Sequence, residues 1–169
     1  NSLKKAKYLI IGEEIIFLLI LTAWSFVRGY NPTIEGLEKY MDWGFINSML
    51  RSTYMPPADM WYSGSPINYY YFGHLIFAVL TKISNISSAM TYNLAIATVC
   101  ALTFVSGFSL SINVIARYLA KKINFTYLII GGLTSALFLT FGGNLHTVYK
   151  ITKINIEQGM KVMNPGSQV

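Results

Sequence analysis

Charge is the scarcest feature of this chain. Only 12% of its 169 residues are Asp, Glu, Lys or Arg, about half the roughly 25% that a soluble domain carries. Acid is scarcer than base: seven carboxylates stand against 13 Lys and Arg, for a net charge of +6. The one cysteine, Cys100, excludes an intrachain disulfide, and its place inside an apolar run says nothing of redox compartment. The signatures of soluble enzymes are missing as well. There is no Walker loop, no dinucleotide glycine fingerprint, no GxSxG elbow, no CxxC and no HExxH. No internal repeat or low-complexity tract is present.

What is there is apolar: 53% hydrophobic residues, 15% of the chain aromatic, arranged in several long runs. That is the composition of an integral membrane protein. The basic residues stand in small groups at the ends of these runs, as anchors for lipid head groups do, which argues against nucleic acid as a partner. The first run is too long, and too interrupted by Glu13 and Glu14, for a signal peptide, and no small-residue cleavage site follows it. Length suits one domain. The start at Asn1 and the polar tail NPGSQV read as a piece of a longer polypeptide.

The expected fold is an all-α polytopic transmembrane helix bundle. Its spans fall at about 8–27, 67–83, 92–116 and 125–141, and a long polar loop covers about 28–66. Glu13 and Glu14 lie inside the first span, where a carboxylate costs on the order of 2–3 kcal/mol. Either both reach the interface, or Glu14 faces protein as an intramembrane acid. Lys and Arg divide almost evenly between the two sides, so the positive-inside rule alone decides little. The N-terminal cluster Lys4, Lys5 and Lys7 favours a cytoplasmic start, which places the long loop outside the cell.

That loop holds four of the seven acids: Glu35, Glu38, Asp42 and Asp59. With Pro32 and Thr33 as start signals, residues 34–50 read as an amphipathic helix lying on the membrane surface. Glu35, Glu38 and Asp42 are then on one face, with Leu37, Met41, Phe45 and Met49 on another. Pro56 and Pro57, then Gly64 and Pro66, turn the chain back. The acids allow three uses: a Mg or Mn site built on Asp42 and Asp59, a general base, or a face that simply stays wet. His74, about one turn into the second span, is a ligand to phosphate or metal, or a histidine hydrogen-bonded within the bundle. Trp61, Tyr62 and the triplet Tyr69, Tyr70, Tyr71 suit a sugar platform, a lipid groove or an interfacial belt. Arg28, Lys39 and Arg51 suit a phosphate, lipid head groups or nearby carboxylates. His146, past Gly142-Gly143, is the weaker histidine.

The strings EKYMDWGFINSMLRS, PPADMWYSG and INYYYFGH resemble the uncharacterised polytopic membrane family known for its YYY motif, found in archaea and bacteria including Chloroflexi. The likeness runs from Glu14 through the second span, more loosely to GGNL at 142–145. Tyr40 and Met60 stand where that family often has proline. The family is similar in turn to the GT-C membrane glycosyltransferases. That resemblance implies a multi-pass protein of the plasma membrane, of which this chain is the N-terminal part. It also implies sugar transfer from a polyprenyl-phosphate donor to an acceptor at the extracytoplasmic face. The acids Glu38, Asp42 and Asp59 would be catalytic. Arg28, Lys39, Arg51, Trp61, Asn68, Tyr69, Tyr70, Tyr71 and His74 would bind substrate. Lys39 stands where the GT-C pattern often has a second acid. The competing class is a transporter or assembly subunit, with Glu14 as its ion site and the loop as a partner surface.

Overall fold

The computed structural model describes residues 2–119, 124–143 and 153. Among them are five helices: α1 (Ser2–Tyr30), α2 (Leu37–Arg51), α3 (Phe72–Ser84), α4 (Ser88–Leu119) and α5 (Phe125–Phe141). One isolated antiparallel bridge, Ala58 to Pro66, is the only β pairing among the described residues. Among the described residues two segments are long and apolar enough to cross a membrane, Lys7–Tyr30 and Ser88–Tyr118. None of the first is buried by protein. In water its exposed Ile10, Ile15, Leu18 and Leu19 would each forgo about 1.5–3 kcal/mol of burial; lipid removes that cost.

Several boundaries differ from the sequence expectation. The second apolar segment becomes helical only at Phe72, because Ile67 is used elsewhere. Its N–H donates to the Pro57 carbonyl at 2.9 Å, and its side chain is buried in the core. At about 1.5 Å per residue, the 13 residues of α3 reach roughly 20 Å, short of the roughly 30 Å hydrocarbon thickness. The loop helix starts later than Ile34. Gly36 caps it with φ 109°, a conformation suited to glycine, so Glu35 lies outside α2 and does not share its acidic face. Ile34 still packs against the core from outside the helix. α4 begins four residues early, because Asn85 ends α3 with φ 55° and the Ser87 carbonyl accepts from Met90 N and Thr91 N at 3.0 Å.

The chain forms two compact units, residues 1–102 and 103–169. The core of the first is Phe45, Ile46, Met49, Ile67, Ala78 and Tyr92. Phe45 and Met49 belong to the apolar row read from spacing. Ile46 is added because α3 and the loop together cover a wider face of α2. Polar ties cross these helices: Thr81 and Thr91 share a hydrogen bond at 2.8 Å, and Ser88 Oγ donates to Asn47 Oδ1 at 2.9 Å. The second unit is packed through small residues. A Cβ on Gly132 would meet Ile112 at 2.7 Å and Phe108 at 3.0 Å, and one on Gly107 would meet Leu139 at 2.8 Å.

The loop between α2 and α3 is pinned from both ends. Asp59 N donates to Ser65 O at 2.8 Å, and Ser65 N to Tyr62 O at 3.3 Å around Gly64 at φ 87°, which a type II turn requires. Ser48 Oγ donates to the Ala58 carbonyl. Gly44 leaves the space on α2 that the Met60 side chain occupies.

Candidate functional site

Asp42 and His74 are 32 residues apart and meet where α2 packs against α3. His74 Nε2 lies 3.0 Å from Asp42 Oδ1. Because an ionised carboxylate only accepts, the imidazole carries its proton on Nε2 toward Asp42. The pair is partly covered, with side-chain exposures of 21% for His74 and 37% for Asp42. The Phe45 ring meets the imidazole edge-on, centroids 5.4 Å apart. Asp42 Oδ2 accepts no hydrogen bond among the described residues, so one carboxylate oxygen is held and the other is free. His74 Nδ1 and Trp43 Nε1 are buried without hydrogen-bond partners.

The pair opens on a cavity of about 300 Å³. Its polar end is Asp42, His74 and Tyr92; Ile46, Phe77, Ile96 and Val99 make the apolar walls. A free carboxylate oxygen at the mouth of such a cavity can take a proton from a hydroxyl whose apolar remainder fills the walls.

The other acids are placed differently. Glu38 lies one turn before Asp42, in the first turn of α2, and is exposed. Asp59 is turned onto its own loop: Oδ1 accepts from Trp61 N at 2.8 Å and Tyr62 N at 3.0 Å, an Asx arrangement that orders the turn. Among the described residues no group of three His, Cys, Asp or Glu gathers that could hold a metal ion. Asp42 is hydrogen-bonded through Oδ1 to His74, and Asp59 through Oδ1 to the Trp61 and Tyr62 amides.

The aromatic residues gather around Phe45. Trp61 and Tyr69 tilt against it at 6.5 and 6.0 Å, and Tyr70 packs on Tyr69 at 4.3 Å. Trp61, Tyr69 and Tyr70 remain exposed, as does Asn68, whereas Tyr71 is half-buried as the N-cap of α3. Arg51, in the last turn of α2, is exposed and donates to Asn47 O at 3.2 Å. Lys39 is half-buried, and Glu14 is exposed on α1. Arg28, at the end of α1, donates from Nε at 3.1 Å and from Nη2 to Asn93 Oδ1. His146 lies outside the described residues.

Tyr92 and Asn93 are site residues that the sequence reading missed. A Thr-Tyr-Asn run within an apolar segment was the available signal, since polar side chains in a span usually have a partner. The signal is masked because the apolar run begins only at about Tyr92, four residues inside α4, so that these residues look terminal in sequence.

A family model described as an uncharacterized membrane protein (DUF2298) matches residues 2–166. No curated protein and no solved structure matches the chain. A match over nearly the whole length, together with two helices able to cross a bilayer, makes this chain a member of the DUF2298 family of membrane proteins.

Proposed function

We propose that this chain is the N-terminal part of a GT-C-type membrane glycosyltransferase. It has four spans, with α3 and its preceding tyrosines completing the second, and lies in the plasma membrane of a bacterium or archaeon. The α2 loop lies outside the cell. The enzyme moves a sugar from a polyprenyl-phosphate donor to an acceptor hydroxyl. The observation that carries this reading is the Asp42–His74 pair at the mouth of a largely apolar cavity.

Asp42 is the general base. His74 holds Oδ1 and leaves Oδ2 to take the acceptor proton. The acceptor oxygen then forms a bond to the anomeric carbon as the bond to the phosphate oxygen breaks, and the phosphate leaves on its lipid. Glu38, one turn away and exposed, adds negative potential at the entrance. Arg51 and Lys39 are cations available to the departing phosphate. Trp61, Asn68, Tyr69, Tyr70 and Tyr71 form the sugar-facing rim, in which Trp61 and Tyr69 rest on the same Phe45 ring that meets His74. Asp59 shapes that rim. A divalent cation is assigned no step.

The test is transfer from a radiolabelled polyprenyl-phosphate sugar by the full-length protein. Asp42→Asn preserves shape and removes the base, so the rate should fall by about 10²–10⁴. Asp59→Asn should retain most of the rate. Transfer by Asp42→Asn at the wild-type rate would show that the base is elsewhere.

A further inference from the structure

Arg28 is a cation whose direction is set by an uncharged side chain. Asn93 Oδ1 accepts from two of its guanidinium nitrogens. The Asn93 amide is itself fixed, because Nδ2 donates to Pro32 O and to Ala89 O, both at 3.0 Å. The backbone of α4 and the α1–α2 connection thus hold the amide that holds the arginine. Among the described residues no carboxylate lies within ion-pair distance of Arg28. An arginine usually meets a carboxylate or a phosphate through its paired N–H groups. Here the first is absent, and donors remain free.

The surroundings select what the second can be. Arg28 and Asn93 line a groove of about 190 Å³ between the end of α1 and the start of α4. Ser25 adds a hydroxyl to one side, and Met90 and Leu94 make an apolar wall, both well exposed. Arg28 closes a helix long enough to span a bilayer, so it stands at the level where head groups lie. A hydrated inorganic anion has no use for the apolar wall, whereas a phosphate ester with a hydrocarbon tail uses both parts. The groove is separate from the Asp42 cavity. Tyr92 lines the one and Asn93 the other, and neighbouring residues on a helix point about 100° apart.

We propose that the Arg28–Asn93 groove is a binding site for a phosphate ester carried on an apolar chain, with Arg28 gripping the phosphate and Asn93 positioning Arg28. The site stands without the transferase reading. A bilayer phospholipid and a lipid-linked phosphate substrate share this chemistry, and both fit it.

The experiment titrates fluorescent phosphatidic acid into the full-length protein in neutral detergent. Competitors are dodecyl phosphate, a polyprenyl phosphate, sodium phosphate and diacylglycerol. Phosphatidic acid should bind saturably. Dodecyl phosphate should displace it, and diacylglycerol should not. Arg28→Gln should weaken binding by about ten- to hundred-fold, as loss of a charge-assisted hydrogen-bond pair does. Asn93→Ala keeps the charge but frees its direction, and should weaken binding by a smaller factor that Arg28→Lys matches. Leu94→Trp fills the groove without touching charge and should also reduce binding. Stronger displacement by polyprenyl phosphate than by dodecyl phosphate would support a substrate site, and equal displacement a structural lipid. Displacement by sodium phosphate as effective as by dodecyl phosphate would overturn the apolar part of the proposal. Unchanged binding in both Arg28→Gln and Leu94→Trp would overturn all of it. Asp42→Asn should leave binding intact, so failure of the transfer reaction and failure of this site are read separately.

Discussion

Gly44→Ala is the sharpest probe of how the loop is held on α2. A Cβ at Gly44 would coincide with the Met60 side chain, overlapping its sulfur and lying 3.6 Å from Cγ. Met60 therefore has to leave. It can, because three rotatable bonds separate its sulfur from the backbone, but it then gives up its packing against the core. Forcing a methyl into filled space costs about 1–3 kcal/mol. Against this, alanine favours a helix interior over glycine by about 1 kcal/mol. The expected net effect is a loss of about 0–2 kcal/mol in the wild-type background. In a Met60→Ala background the space is already open, only the propensity gain remains, and the same Gly44→Ala change should stabilise by about 1 kcal/mol. The assay is thermal unfolding in detergent for the four proteins of the double-mutant cycle, with protease cutting in residues 60–66 as a local readout. The reversal of sign is the diagnostic. Equal effects of Gly44→Ala in both backgrounds would refute the contact.

Asp59→Ala removes the acceptor for two turn amides and should destabilise by about 1–2 kcal/mol, these amides being able to regain water; faster proteolysis near Gly64 measures it, and no change would mean the turn forms without the carboxylate. Gly132→Ala should cost about 1–3 kcal/mol in thermal unfolding because Ile112 and Phe108 occupy the space for a Cβ, while Gly143→Ala, with nothing within 4 Å, should be silent. Thr81→Val breaks the Thr81–Thr91 hydrogen bond and should cost about 0.6 kcal/mol, the average for such ties within membranes.

Some of this was legible from the residues and some was not. The row Met41, Phe45, Met49 identified the buried face of α2 because helical spacing is local. Its start was misplaced because Pro32 and Thr33 imitate a helix beginning, and the cap is set by the Gly36 backbone. Three of the loop's four acids, Glu38, Asp42 and Asp59, look equivalent in sequence. They separate only through partners: His74 for Asp42, the Trp61 and Tyr62 amides for Asp59, open surroundings for Glu38. Arg28 was legible as a cation at a span end, but its partner Asn93, 65 residues away, was not.

The amino-acid order by itself determined the membrane class, the helical makeup and the aromatic, acid-bearing loop, because hydropathy, spacing and turn chemistry act over a few neighbouring residues. The folded chain alone decided which carboxylate keeps a free oxygen, that an amide 65 residues away aims Arg28, and that Ile67 anchors a loop instead of entering a helix. Those outcomes depend on contacts between segments tens of residues apart, whose directions are set by turns that no single stretch encodes.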